Sequence, residues 1–197
     1  MLFAHHRLTA VDALAFQQKA QAFSIKGCTQ MIVKNPKELF VRLLNDLRFS
    51  TEKSAEIHQK LAGFAQEPQI KEALESHAFV QTKDLASLDR CFQLIGEKPT
   101  PPDRELRDIV IEDFKRELNE IQSPAAKALF VLVKAHHLIS LRIAEYKILI
   151  AMADVSGHLG VGVLLESCLA DKLAFVERTH RLLRHAIEIK HEIRLAA

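Results

Sequence analysis

The chain has 197 residues, 48% of them hydrophobic and 26% charged, with a formal net charge of +2. That composition suits a single domain with one core, with or without an appendage, and excludes an intrinsically disordered chain. It also argues against a nucleic-acid partner, which needs basic residues gathered on one face, and no segment here is strongly basic on one side.

Thr9 is placed to cap a short helix through residue 23, with Gly27 beyond its end, so residues 1–34 read as an N-terminal arm or short helix. From residue 35 to 197 nearly every proline and glycine falls where one amphipathic segment ends and another begins. Prolines favour a first helical turn and glycines the position just past the last. These breakers outline four helices of roughly 25–32 residues each. Asn35, Pro36 and Glu38 open the first helix, expected to run to about residue 64. Pro68 opens the second, to about residue 95. The connection 96–122 should hold its own helix over 103–121, burying Ile109, Val110, Phe114 and Leu118. Ser123 and Pro124 open the third bundle helix, to about residue 155, and the fourth should run from about 161 towards the C-terminus. Short links join the first pair and the last pair, and a long one joins the pairs. The fold class is therefore all-α, an up-down four-helix bundle of ferritin-like connectivity with an extra crossover helix, over residues 35–197.

No membrane or export segment is expected. The most apolar stretch, 125–155, is interrupted by Lys134, His136, His137, Arg142, Glu145 and Lys147. Residues 1–28 lack the unbroken apolar run of a signal peptide. Cys28, Cys91 and Cys168 form no close pair and read as reduced packing thiols, which makes the cytoplasm the expected location.

Placing residues at 100° intervals gives each bundle helix an inward seam. On the first it is Phe40, Leu43, Leu44, Leu47, Thr51, Ser54, His58 and Leu61. On the second it is Ile70, Leu74, His77, Val80, Asp84, Leu88 and Phe92. The third contributes Leu129, Leu132, His136, Ile139, Ile143, Tyr146 and Ile150, and the fourth Leu165, Cys168, Lys172, Val176, Thr179, Leu183 and Ala186. Each seam turns polar near its middle. An unpartnered buried polar group costs about 1–3 kcal/mol, so a whole layer of them asks for an explanation.

The segments Ile143-Ala144-Glu145-Tyr146, Ala153-Asp154, Gly157, Leu164-Leu165 and Leu169 suggest one. So do Glu38-Leu39-Phe40, Leu43-Leu44, Asp46 and His77, together with Glu112 and Glu117 in the crossover. In order and spacing the chain resembles the ferritin-like superfamily, specifically the bacterial stress-associated YciE/YciF-type family of unknown function, over residues 35–183. The resemblance implies a dinuclear metal site at the bundle centre, built of carboxylates from all four helices. The corresponding positions here are Thr51 or Glu52, Val80, Ile139 and Lys172. Glu52 alone is acidic, and it needs a one-residue shift to face inward. Apolar side chains cannot ligate a metal and an inward lysine repels one, so the family site reads as dismantled. Lys172 then stands where a cation would, with Asp84 or Tyr146 as the expected partner.

A second metal reading rests on histidines. His58, His77, His136 and His180 fall within about one turn of a common level, at 1.5 Å per residue. With Glu52 they form a candidate site for zinc, copper, nickel or iron. The plainer reading is that each histidine is satisfied by a neighbour such as Thr179 or a backbone carbonyl. Two Glu-x-x-His spacings, Glu177/His180 and Glu188/His191, match ferritin-like ligand motifs, but both glutamates project away from the apolar stripe. No phosphate loop, nucleophile elbow or catalytic residue set is found. Three roles stay open: a non-catalytic scaffold or homodimer without a cofactor, a metal protein or oxidoreductase, and a partner-binding helical module.

Overall fold

The computed structural model describes residues 33–100 and 106–195, with side-chain surroundings for 33–100 and 113–188. The helix expected over 9–23, with His5, His6 and Cys28, lies outside them. Among the described residues there are five helices: α1 (Pro36–Phe64), α2 (Pro68–Ile95), α3 (Leu106–Glu120), α4 (Pro124–Val155) and α5 (Leu159–Leu195).

The helix ends follow from local chemistry. The Asn35 side chain accepts a hydrogen bond from Glu38 N at 2.9 Å, while the Glu38 carboxylate accepts one from Lys34 N at 2.7 Å. The first satisfies an amide that the opening helical turn leaves free, and the second ties the residue before the cap to that turn. Gly96 (φ 72°) ends α2 in the left-handed region, which lets Glu97 N donate to Phe92 O at 3.1 Å. The last helix starts earlier than the glycines suggest. Gly157 (φ 74°) makes the turn, and His158 O already accepts from Val161 N and Gly162 N. Gly162 therefore lies inside α5, where a Cβ would stand 3.1 Å from Asp154 Oδ1. It is a close-approach glycine, not a breaker.

Helix α1 packs on α2 and α4, and α5 packs on α4 and α2. The core divides into two apolar clusters, one at each end. Phe40, Leu44, Leu88, Phe92, Leu149 and Leu165 belong to the first, and Leu61, Leu74, Val131, Leu132, Ile139 and Phe175 to the second. The starts of α1 and α5 thus share an end with the finishes of α2 and α4. This is the arrangement a long crossover produces. That crossover is anchored at its beginning, where buried Asn45 bonds the Thr100 backbone in both directions at 2.8 and 3.0 Å. Its helix α3 packs Phe114 between Phe64 and Phe130. No helix among the described residues is long and apolar enough to cross a membrane.

Candidate functional site

Between the two apolar clusters lies a polar layer. Helix α1 contributes Thr51, Ser54 and His58, α2 contributes His77, Gln81 and Asp84, and α5 contributes Lys172 and Thr179, all buried. Ile139 and Tyr146 of α4, both fully buried, close the side facing them.

Lys172 Nζ donates to Asp84 Oδ2, joining α5 to α2, and both side chains are almost wholly shielded from solvent. The ammonium also lies 6.0 Å from the centre of the Tyr146 ring. Two forces oppose each other at Asp84. Burial pushes its carboxyl above the ordinary range, while the charge and hydrogen bond of Lys172 pull it back. Burial also holds the Tyr146 phenol well above its usual value, reinforced by Cys168 and Asp84. It pushes the Cys168 and Cys91 thiols up to about 12, so neither offers a thiolate at neutral pH.

The buried histidines form one half of the layer. His58 Nδ1 lies 2.7 Å from Ser54 O, which makes it the proton-bearing donor and leaves Nε2 a bare acceptor. The ring meets His77 edge-on at 4.8 Å, and His77 stacks on Phe175 at 3.8 Å. Burial drives His58 down to about 4, and it depresses His77 further, aided by the charges of His58 and Lys172. Both rings are neutral at pH 7. Gln81 Nε2 donates to Ser54 Oγ at 3.3 Å. His58 Nε2, His77 Nε2, Gln81 Oε1 and the Tyr146 hydroxyl are all buried without a protein hydrogen-bond partner.

Several expected site positions are placed differently from the sequence reading. The four histidines do not converge. His136 is half-buried and His180 exposed, and they stack on each other at 5.2 Å instead of joining His58 and His77. The inward place on α4 next to His136 belongs to Ala135, which is fully buried. Glu52 points away from the layer towards Arg48, 3.7 Å away, with its side chain 43% exposed. Val80 is only half-buried, and Gln81 takes the inward place on α2. A signal for Gln81 was present, since His77, Gln81 and Asp84 are spaced four and three apart, the period of one helix face. Phe175 was missed as well, although it lies three residues after Lys172 and four before Thr179. Glu177 and Glu188 are exposed.

These residues do not fit a dinuclear carboxylate site. Thr51 Oγ1 donates to Leu47 O at 2.8 Å, Ile139 has no donor atom, and the one carboxylate in the layer is committed to Lys172. No group of three or more histidine, cysteine, aspartate or glutamate residues converges among the described residues. One cavity of about 280 Å³ lies beside α3, and another of about 130 Å³ lies beside His136 and His180 and meets the layer at Thr179.

Residues 35–191 match the model of the family described as a domain of unknown function, DUF892. No functionally curated protein matches. Solved structures similar to the chain include YcfI of Rhodopseudomonas palustris, presented as a candidate structural protein, with 21% identity and a TM-score of 0.72 over 78% of this chain and 98% of that one. The Escherichia coli stress protein YciF has 17% identity and a TM-score of 0.68, over 79% of this chain and 99% of YciF. A protein from Xanthomonas campestris pv. campestris has 16% identity and a TM-score of 0.62, over 80% and 99%. At these identities the likeness is one of fold. The family match covers most of the chain, which therefore belongs to the DUF892 family.

Proposed function

We propose that this DUF892 member is a non-catalytic, ferritin-like structural subunit of a cytoplasmic stress-associated type, whose centre is held by an internal ion pair at the place where the ferritin-like resemblance of the sequence implies metal. The observation that carries this reading is the buried Lys172–Asp84 pair across α2 and α5. A lysine on the inner seam supplies positive charge without an ion, and it takes up the one acidic side chain of the layer. Neutral histidines and high-pKa thiols leave the layer without a ready acid, base or nucleophile near pH 7.

The partner we propose is a second copy of the chain. On the outer face of α4, His137, Leu141, Ala144, Ile148, Ala151 and Val155 are all exposed, at alternating spacings of four and three. That is a heptad seam, the pattern by which helices pair through knobs-into-holes packing. Its exposure on a helix apolar on several faces is what a two-fold helix pairing would cover. The test is elemental analysis combined with light scattering on protein purified without chelator. The reading expects a dimer without iron or manganese in stoichiometric amounts. Two iron or manganese ions per chain, or a monomer at micromolar concentration, would contradict it.

A further inference from the structure

At the edge of the polar layer a second histidine pair, half-buried on one side and exposed on the other, is unused. His136 on α4 and His180 on α5 come from different helices, yet their rings lie 5.2 Å apart and within 17° of parallel. Neither ring takes part in a hydrogen bond or an ion pair among the described residues. A cavity of about 130 Å³ opens directly beside them, lined also by Leu132, Thr179 and Leu183. We propose that His136 and His180 chelate one divalent transition-metal ion across the α4–α5 seam, Cu²⁺ in preference to Zn²⁺.

The donor chemistry selects the ion. Imidazole nitrogen suits copper, zinc and nickel, and affinity for a given set of nitrogen ligands peaks at Cu²⁺. Burial, followed by the charges of His180 and His137, disfavours the imidazolium form of His136. Two protein ligands leave the remaining coordination positions to water, for which the adjoining cavity has room. The two helices are fixed in register by their own apolar packing, so once one imidazole is engaged the other binds intramolecularly, each ring turning out of the stack so that its in-plane lone pair points at the ion. Chelation of this kind strengthens binding on the order of 100-fold over a single ligand. An ion held by both helices binds only the folded chain and so raises its melting temperature. This site is separate from the bundle centre and does not depend on whether the centre is a scaffold.

The experiment is a calorimetric titration of the full chain with CuCl₂, with thermal melts in parallel. The expected result is one Cu²⁺ per chain and an upward melting shift. His136→Ala and His180→Ala each weaken binding on the order of 100-fold and remove the shift. His185→Ala, one turn further along α5, leaves both intact. Since His5 and His6 form another adjacent pair, a His5→Ala/His6→Ala variant is titrated as well. Binding that persists in the His136 and His180 variants, or that disappears only in the His5/His6 variant, overturns the proposal.

Discussion

The middle of the bundle and the outer face of α4 reverse the usual order of a protein. Inside, where apolar packing is the rule, the chain keeps a lysine, an aspartate, two histidines and a glutamine. Outside, where charge is the rule, α4 presents Leu141, Ile148 and Val155, the last 91% exposed. The two departures have different physical meanings. A buried ion pair contributes little net stability against apolar residues of the same volume, yet removing one partner is severe. Lys172 and Asp84 therefore constrain each other and fix how α2 meets α5, more than they add energy. An exposed apolar stripe at heptad spacing costs nothing structurally inside the monomer and gains only when something covers it. The inner ion pair finds both its partners within the chain, whereas the outer stripe is the face for which we propose a second copy.

The comparison breaks most visibly at Lys172. Lys172→Met should strand the Asp84 carboxylate in the core and cost about 3–5 kcal/mol in denaturant unfolding. Full stability in that variant would mean that Asp84 has another partner or is not buried.

Acid should sharpen the same contrast. His58 has a folded-state value of about 4 against about 6.5 when unfolded, so the unfolded chain binds the proton more readily between those values. Stability should therefore be intact above pH 6.5 and fall as the pH drops towards 4, by on the order of 3 kcal/mol from this residue. His77 acts in the same direction, while Asp84, raised by burial, opposes it at the acid end. Unfolding curves between pH 7 and pH 4 measure the slope, and a flat profile would mean that the histidines are hydrated.

On the outer face, Ile148→Glu places a charge at the middle of the seam twice over in a symmetric dimer. It should weaken self-association by about 30-fold or more, as loss of a central contact worth about 2 kcal/mol does, while the helical signal stays unchanged. Sedimentation velocity over a concentration series reads this out, and an unaltered dimer would place the interface elsewhere.

The smallest effect is expected at His77. Replacing it with Phe keeps the ring against Phe175 and removes a buried nitrogen that has no partner. Stability should change by less than about 1.5 kcal/mol, and the acid slope should become shallower.

Much of this architecture is legible in the sequence because its punctuation is local. Pro36, Pro68 and Pro124 fix helix starts through their own fixed φ, and Gly96 and Gly157 fix helix ends through a backbone that other residues avoid. Gly160 and Gly162 misled for the same reason. Glycine marks tight approach as well as chain breaks, and only the position of Asp154 separates the two.

The centre was partly readable. A cation on an inward seam demands an anion, and Asp84 was the acidic residue on the facing seams. The histidine geometry was not readable, because α4 is apolar on nearly every side and its pattern leaves the inward direction poorly defined. A rotation of one residue moves His136 from the core to its edge and brings Ala135 inward. Gln81 was lost to Val80 by the opposite error, since the apolar residue was preferred where a polar column continued.

The most direct test is a pair of unfolding measurements on Lys172→Met and on Lys172→Met/Asp84→Leu. If the layer is organised by this ion pair, the single variant loses most of its stability and the double variant regains it, reaching or exceeding the parent. If the double variant stays as unstable as the single one, the two residues are not partners, and the centre of the bundle is held by something else.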